Sequence, residues 1–105
     1  MAVTFDPVKR AIALRDRGLD FAIAAEVFVD PHVTLEDDRF DYGETRWITA
    51  GLLRNRMVVL VWTSRGDDRH IISMRHCHAK EEARWRLEIE QHISSGIRQD
   101  VDRRS

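Results

Sequence analysis

The stretch "MVVLVWTSRGDDRHIISMRHC" (residues 57–77) holds two apolar, β-rich runs separated by a short polar break. "MVVLVWTS" is apolar at consecutive positions, the pattern of a strand covered on both faces, and β-branched residues fill both runs. "RGDDR" has the glycine and aspartates of a tight turn, so the runs are predicted to pair as an antiparallel hairpin. On simple alternation Ser73 and Arg75 share one face of the second strand, while Ile72 and Met74 share the other, core-facing side. A sheet therefore sits at the centre of the fold.

Upstream, "TRWITAGLL" alternates as a strand and "RNR" joins it to the central one; "HVTLED" reads as a short strand before an acidic loop through Gly43. Two helices precede these strands. In "DPVKRAIALRDRG" Asp6 is placed as N-cap, Pro7 at the first helical position and Gly18 as stop, with Val8, Ala11, Ile12 and Arg15 at helical spacing, giving a helix over about 7–17. "DFAIAAEVFVDP" repeats the pattern: Asp20 caps, Phe21, Ala24, Ala25 and Phe28 form a stripe, and Asp30-Pro31 ends it. From Ala79 to about Ile93 the period is helical again. Trp85, Ile89 and Ile93 make one stripe and Ala83 with Leu87 a second, while Glu82, Arg86 and Glu90 stand at i, i+4 between them. Such a helix either contacts two surfaces or presents one broad face crossed by paired charges. "SSGIRQDVDRRS" reads as a frayed tail from about residue 95. The expectation is an α+β fold: two short N-terminal helices, an antiparallel sheet of three to four strands and a C-terminal helix, in one domain over 1–105.

The 105 residues suffice for one such domain, and the lone cysteine, Cys77, excludes an internal disulfide. "MAVTFDPVKR" lacks the apolar core of a signal peptide, and the apolar run Met57–Trp62 is far short of a membrane span, so a soluble, cytoplasmic protein is expected. A net charge of −1 and a pI near 6.5 give no overall attraction to nucleic acid. The charge is unevenly spread, however. Nine of the seventeen Lys and Arg residues fall between Arg46 and Arg86, and Glu26 to Glu44 carries seven acids against the single base Arg39.

"HIISMRHCHAKEEARW" (residues 70–85) concentrates the groups that carry chemistry. A metal site needs convergent ligands; His76 and His78 would share a strand face while Cys77 points away, and nothing elsewhere supports them, so no metal is expected. Adjacent strand residues diverge, which also argues against Cys77 as a histidine-activated nucleophile and for a small buried residue near the strand end. A phosphate-binding surface is the third reading. Arg65, Arg69 and Arg75 come from one hairpin, Lys80 and Arg84 follow on the helix, and arginine suits bidentate phosphate contact. A merely solvated charged face is the competing account.

The chain resembles the BrnT family of bacterial type II toxins, ribonucleases of RelE-like fold. The matching pieces are "FDPVK", "RGLDFAIAAEVFVDP", "RWITAG", "VVLVWTSRGDDRHIISMR", and Glu81 and Trp85 in the last helix. The resemblance implies metal-independent RNA cleavage without a cofactor, a BrnA-like ribbon-helix-helix antitoxin that neutralises the toxin, and DNA contact only through that antitoxin. Carried over by position, Lys9, Arg65, Arg75 and Glu81 match polar residues of the family pattern. Arg65, Arg75, Glu81 and His78 are the candidate catalytic residues, with His76 a further proton carrier. Lys9, Arg69, His70, His76, Lys80 and Arg84 are candidates for RNA binding, and Trp85, Ile89, Ala83 and Leu87 for antitoxin binding. The chain departs from the pattern in three places. Ala13 stands where the family has asparagine, Asp16-Arg17 where it has Lys-His, and His70 where arginine usually precedes "IIS". A weak or inactive nuclease that still binds its antitoxin is the alternative implied by those departures.

Overall fold

A computed structural model describes residues 2–104, with side chains up to residue 92. Five strands form one sheet in the order β1-β5-β4-β3-β2: β1 (Val3–Phe5), β2 (His32–Glu36), β3 (Trp47–Leu53), β4 (Arg56–Arg65) and β5 (Asp68–His76). The expected hairpin is its centre, with Arg65 paired to Asp68 across the turn at Gly66 and Asp67. "RNR" closes the β3–β4 hairpin: Arg54 and Asn55 both take positive φ, 50° and 72°, as a two-residue primed turn requires.

The sheet differs from expectation in two ways. It has five strands, and it is mixed, because β1 lies parallel to β5 through Val3↔Arg69, Thr4↔His70 and Phe5↔Ile71. Three residues directly before a helix cap are too few to show alternation. The second difference is a bulge. Val61 pairs with Ser73 but Trp62 pairs with Ile71, which leaves Ile72 as the extra residue of β5. Ile71 and Met74 therefore share the core face, both fully buried, and Ile72 is only half-buried.

One face of the sheet is covered by α1 (Pro7–Arg17) and a 3₁₀ helix (Phe21–Phe28). Asp6 caps α1 by accepting from the Val8 amide at 2.8 Å, and Gly18 ends it at φ 66°. The predicted stripe on α1 is not its buried face: only Ala13 is buried, and Val8 and Ile12 are exposed. The second helix is 3₁₀ rather than α, with Phe21, Ala24 and Val27 buried at a spacing of three and Ala25 exposed. These residues join Leu60, Trp62, Ile71 and Met74 in one core.

The opposite face carries α2 (Ala79–Arg104), longer than the predicted end near Ile93, with no proline to stop it. It packs chiefly on β2 and β3, and Trp85 and Ile89 share a core with Val33 of β2, Ala50 of β3, and Met57 and Val59 at the start of β4. The expected frayed tail and the place of Ile93 fall outside the described side chains. No helix among the described residues is long and apolar enough to cross a membrane.

Gly51 is where the 3₁₀ helix touches the sheet. A Cβ there would lie 2.9 Å from Val27 Cγ1 and 3.0 Å from His32 Cβ, and Val27 is fully buried and stiff at χ1. Gly51→Ala is expected to cost about 1–3 kcal/mol through overpacking, read as a fall of at least ~5 °C in Tm.

Candidate functional site

Directly paired strand residues share a face, so the register sorts the side chains of the central hairpin. Val59 belongs to the core under α2, and Val61, Thr63 and Arg65 follow at every second position on β4. Their partners on β5 are Arg75, Ser73, His70 and Asp68, and Thr4 of β1 extends the row at His70. Because α2 sits over β2 and β3, Val61, Ser73 and His70 remain half-exposed and Arg65 and Arg75 exposed. An open, partly basic floor results, walled on one side by α2.

Two clusters stand on this floor. At the turn end, His70 Nδ1 and Thr4 Oγ1 share a 2.9 Å hydrogen bond. The His70 pKa is pushed below the ordinary 6.5, first by burial and then by the positive charge of Arg65, with Glu44 pulling the other way and Lys9 adding less than either. Lys9 also lines a cleft of about 280 Å³ between α1 and β5 with Ala13, Asp16, Arg17, Ile72 and Ser73. The positions at which this chain departs from the family pattern on α1 thus gather around Lys9.

At the other end, Arg75 and Glu81 form a two-pronged ion pair, Nη1–Oε1 2.6 Å and Nη2–Oε2 2.7 Å. Arg75 holds the Glu81 carboxyl down to about 2, which makes it a poor proton acceptor. Cys77 is half-buried against the α2 core, and burial, reinforced by Glu81, raises its thiol to about 11. A thiol so far from ionisation is no nucleophile at neutral pH, in keeping with the packing role expected of it.

The hairpin does not bring Arg65 and Arg75 together. Arg75 lies opposite Val59, six residues before Arg65 on β4, so their backbones are roughly 20 Å apart at 3.3 Å per residue. They share a face but not one phosphate. Arg69 and His76 leave the face altogether. Arg69 lies against aromatic rings on the α1 side, 3.8 Å from the Phe28 ring centre and 5.3 Å from that of Trp62. His76 turns its buried Nδ1 into the same side, unpartnered among the described residues, and lines a groove with Leu14, Arg17, Leu19 and Arg56. His78 is exposed in the connection between β5 and α2, so it does not share a strand face with His76. Lys80 is exposed at the start of α2, and Arg84 points to a cleft with Leu35, Trp85 and Glu88 at the β2 edge. Of the two stripes on α2, Trp85 and Ile89 are spent on the core, whereas Ala83 and Leu87 are exposed.

One element escaped sequence reasoning: the loop Asp37–Arg46, in which the acidic run hides an ordered centre. Asp37 is 4% exposed and accepts from Arg39 Nε at 2.7 Å, Arg39 Nη2 at 2.9 Å and Tyr42 Oη at 3.1 Å. Those donors, Arg39 first, hold its carboxyl down to about 2. Its amide donates to Arg46 O at 2.8 Å, closing the loop at its base. The only hint in the sequence was a lone arginine among seven acids.

Among the described residues no three His, Cys, Asp or Glu side chains converge as a metal site would need.

Because Asp37 is depressed from 3.8 to about 2, its contribution to stability is complete above about pH 4 and is lost as pH falls toward 2. Asp37→Asn is expected to cost about 2 kcal/mol at neutral pH by stranding its donors, and thermal melts should show the difference from the parent shrinking toward pH 2.

The family described as "Ribonuclease toxin, BrnT, of type II toxin-antitoxin system" matches residues 5–81. Nothing among the curated proteins matches the chain. The matched segment runs from the end of β1 to the Glu81 that pairs with Arg75, and so takes in α1, the whole hairpin and both clusters. The chain belongs to the BrnT family of ribonuclease toxins of type II toxin–antitoxin systems.

Proposed function

We propose that this chain is itself an endoribonuclease, with RelE-like use of an open sheet face, and that it cuts RNA without a metal ion in the cytoplasm. The observation that carries the reading is His70: half-buried, held toward its neutral form, tethered to Thr4 and set beside Arg65 on an uncovered face. With Nδ1–H donating to Thr4 Oγ1, Nε2 keeps a free lone pair and takes the proton of a ribose 2′-OH. The 2′-oxygen then attacks the adjacent phosphorus. The bond to the 5′-oxygen breaks, leaving a 2′,3′-cyclic phosphate and a 5′-hydroxyl. Arg65 stabilises the charge that builds on the phosphoryl oxygens, and Lys9 supplies a second positive charge and the leaving group's proton. Arg75, roughly 20 Å along the strand, holds a flanking phosphate and not the scissile one.

This assignment moves the proton chemistry from Glu81 and His78 to His70. Glu81 is committed to Arg75, and His78 stands at the far end of the floor. A second reading, a catalytically weak chain that acts with its antitoxin as a repressor, is favoured by Asp16. Its carboxylate lies in the Lys9 cleft, where the family pattern has a lysine, and it works against an incoming phosphate. A BrnA-like antitoxin of ribbon-helix-helix type would cover the exposed Ala83 and Leu87 side of α2, Leu87 being 55% exposed, since Trp85 and Ile89 are already packed inside.

His70→Ala and Arg65→Ala are expected to stay folded, His70→Ala with a small fall in Tm from the lost Thr4 hydrogen bond, and to slow RNA cleavage about a hundredfold or more, with chelator leaving the parent rate unchanged. A neutral histidine acts as base above its pKa, so the acidic limb of the rate profile should have its midpoint below 6.5. Growth without arrest when the chain is expressed alone would favour the repressor reading. Leu87→Asp should weaken capture of the antitoxin without altering cleavage.

A further inference from the structure

The loop Asp37–Arg46 has more internal order than a connection between two strands needs. Asp37 and its four hydrogen bonds anchor one side, and Gly43 N donates to Asp41 Oδ1 at 3.0 Å in the turn at its tip. Thr63 Oγ1 of β4 donates to Thr45 O at 2.7 Å and pins the other side to the sheet. Within this frame three flat groups follow one another. The Arg46 guanidinium lies 4.1 Å from the centre of the Tyr42 ring, and Phe40 meets Tyr42 edge-on at 5.8 Å. The last member, Phe40, is 69% exposed. The Asp37 carboxylate is turned inward, whereas one aromatic ring is presented to solvent.

The loop's position matters as much as its order. Thr63 pairs with His70, so the stem at Thr45 is one strand away from the histidine. Glu44 is close enough to His70, and Arg39 to Arg75, for each charge to act on the other. The loop therefore borders the open floor along the span between its two basic clusters.

We propose that this loop receives an unpaired nucleobase of the RNA, stacked on the exposed Phe40 ring, which the Tyr42–Arg46 pair buttresses edge-on, while the phosphates follow Arg65 and Arg75. The proposal rests on the nuclease reading given above. Two features of the loop select a base and not a phosphate. Asp38 and Asp41 are both exposed and repel phosphate oxygens, and Arg39 and Arg46 are already engaged by Asp37 and Glu44. A carboxylate beside a ring does suit a base, whose amino edge donates hydrogen bonds. Stacking on aromatic and guanidinium planes is the usual way in which single-stranded RNA is held. Asp37 is a positioning residue here, acting through Arg39 and Tyr42.

The test uses the full chain, made inactive with His70→Ala, and a short single-stranded RNA carrying 2-aminopurine at one position in each oligonucleotide of a set. Stacking on Phe40 should quench the fluorophore at one or two positions, and Phe40→Ala should abolish that quenching and weaken RNA binding about tenfold, in line with the loss of one stacked base. Phe40→Trp should restore both, and the dependence of affinity on salt should be the same in all three, because no phosphate contact is lost. A folded Phe40→Ala variant that binds and quenches as the parent does would overturn the inference while leaving the nuclease reading standing. Unchanged RNA binding together with weakened antitoxin binding would assign the ring to the protein partner instead. No RNA binding by the His70→Ala chain even at low salt, with the active parent likewise cutting nothing, would overturn both readings together.

Discussion

The extra residue at Ile72 decides what the central hairpin can do. His70 and Arg75 are five positions apart, an odd number, so in a regular strand they would point to opposite faces. The bulge inserts one residue between them and reverses the parity, which brings His70 onto the face of Arg75, Thr63 and Arg65. The same shift sends Arg69 to the aromatic side, where Phe28 and Trp62 hold it. A single unpaired residue thus separates a basic, half-open floor from a core sealed by aromatic rings. It also brings Ile71 and Met74 to one face, so that the core under α1 is continuous across the irregularity.

The floor stays open because of where α2 spends its apolar side chains. Trp85 and Ile89 are committed to β2, β3 and the first residues of β4, Met57 and Val59, which leaves the row from Val61 to Arg65 and its β5 partners outside that cluster. Arg75 and Glu81 fasten the start of the helix to the strand that precedes it, and so fix the edge of the floor. Glu81 matches a polar position of the family pattern, and here its carboxylate is engaged by both Nη atoms of Arg75. A carboxylate held near 2 keeps its charge over the whole working range, as a clamp on an arginine requires.

Much of the architecture was legible because it rests on local signals. Asp6, Pro7 and Gly18 bound α1 as their capping chemistry demands, and the turn residues at 54–55 and 66–67 set both hairpins. What was not legible depends on partners distant in sequence. β1 is a strand because its backbone pairs with β5, Thr4 beside His70 66 residues away, and no periodicity in three residues announces that. The buried face of the second helix follows a spacing of three because the segment is a 3₁₀ helix, which lies close on the sheet at Gly51. The Ile71-Ile72 doublet was the one visible sign of the bulge, since two adjacent isoleucines break a period of two; alternation from Met74 puts Ile72 on the core side, and the bulge puts Ile71 there instead. Asp37 reads as one acid in a run of seven until Arg39 and Tyr42 fold back on it.

A chain of net charge −1 gains nothing from long-range attraction to RNA, and salt at physiological strength screens charges beyond about 8 Å. Affinity must come from contacts made at short range by groups already in place. The two ends of the floor differ in this respect. Arg75 is fixed by a carboxylate and gives up little side-chain freedom on meeting a phosphate, although part of its charge is already answered. Arg65, exposed beside the turn, offers a freer charge and less fixed geometry. On the nuclease reading proposed above, the pairing suits a substrate held firmly at one end and reacted at the other, with the histidine beside the freer cation. On that same reading near-neutral overall charge favours release, because no field beyond the floor retains the cut strand.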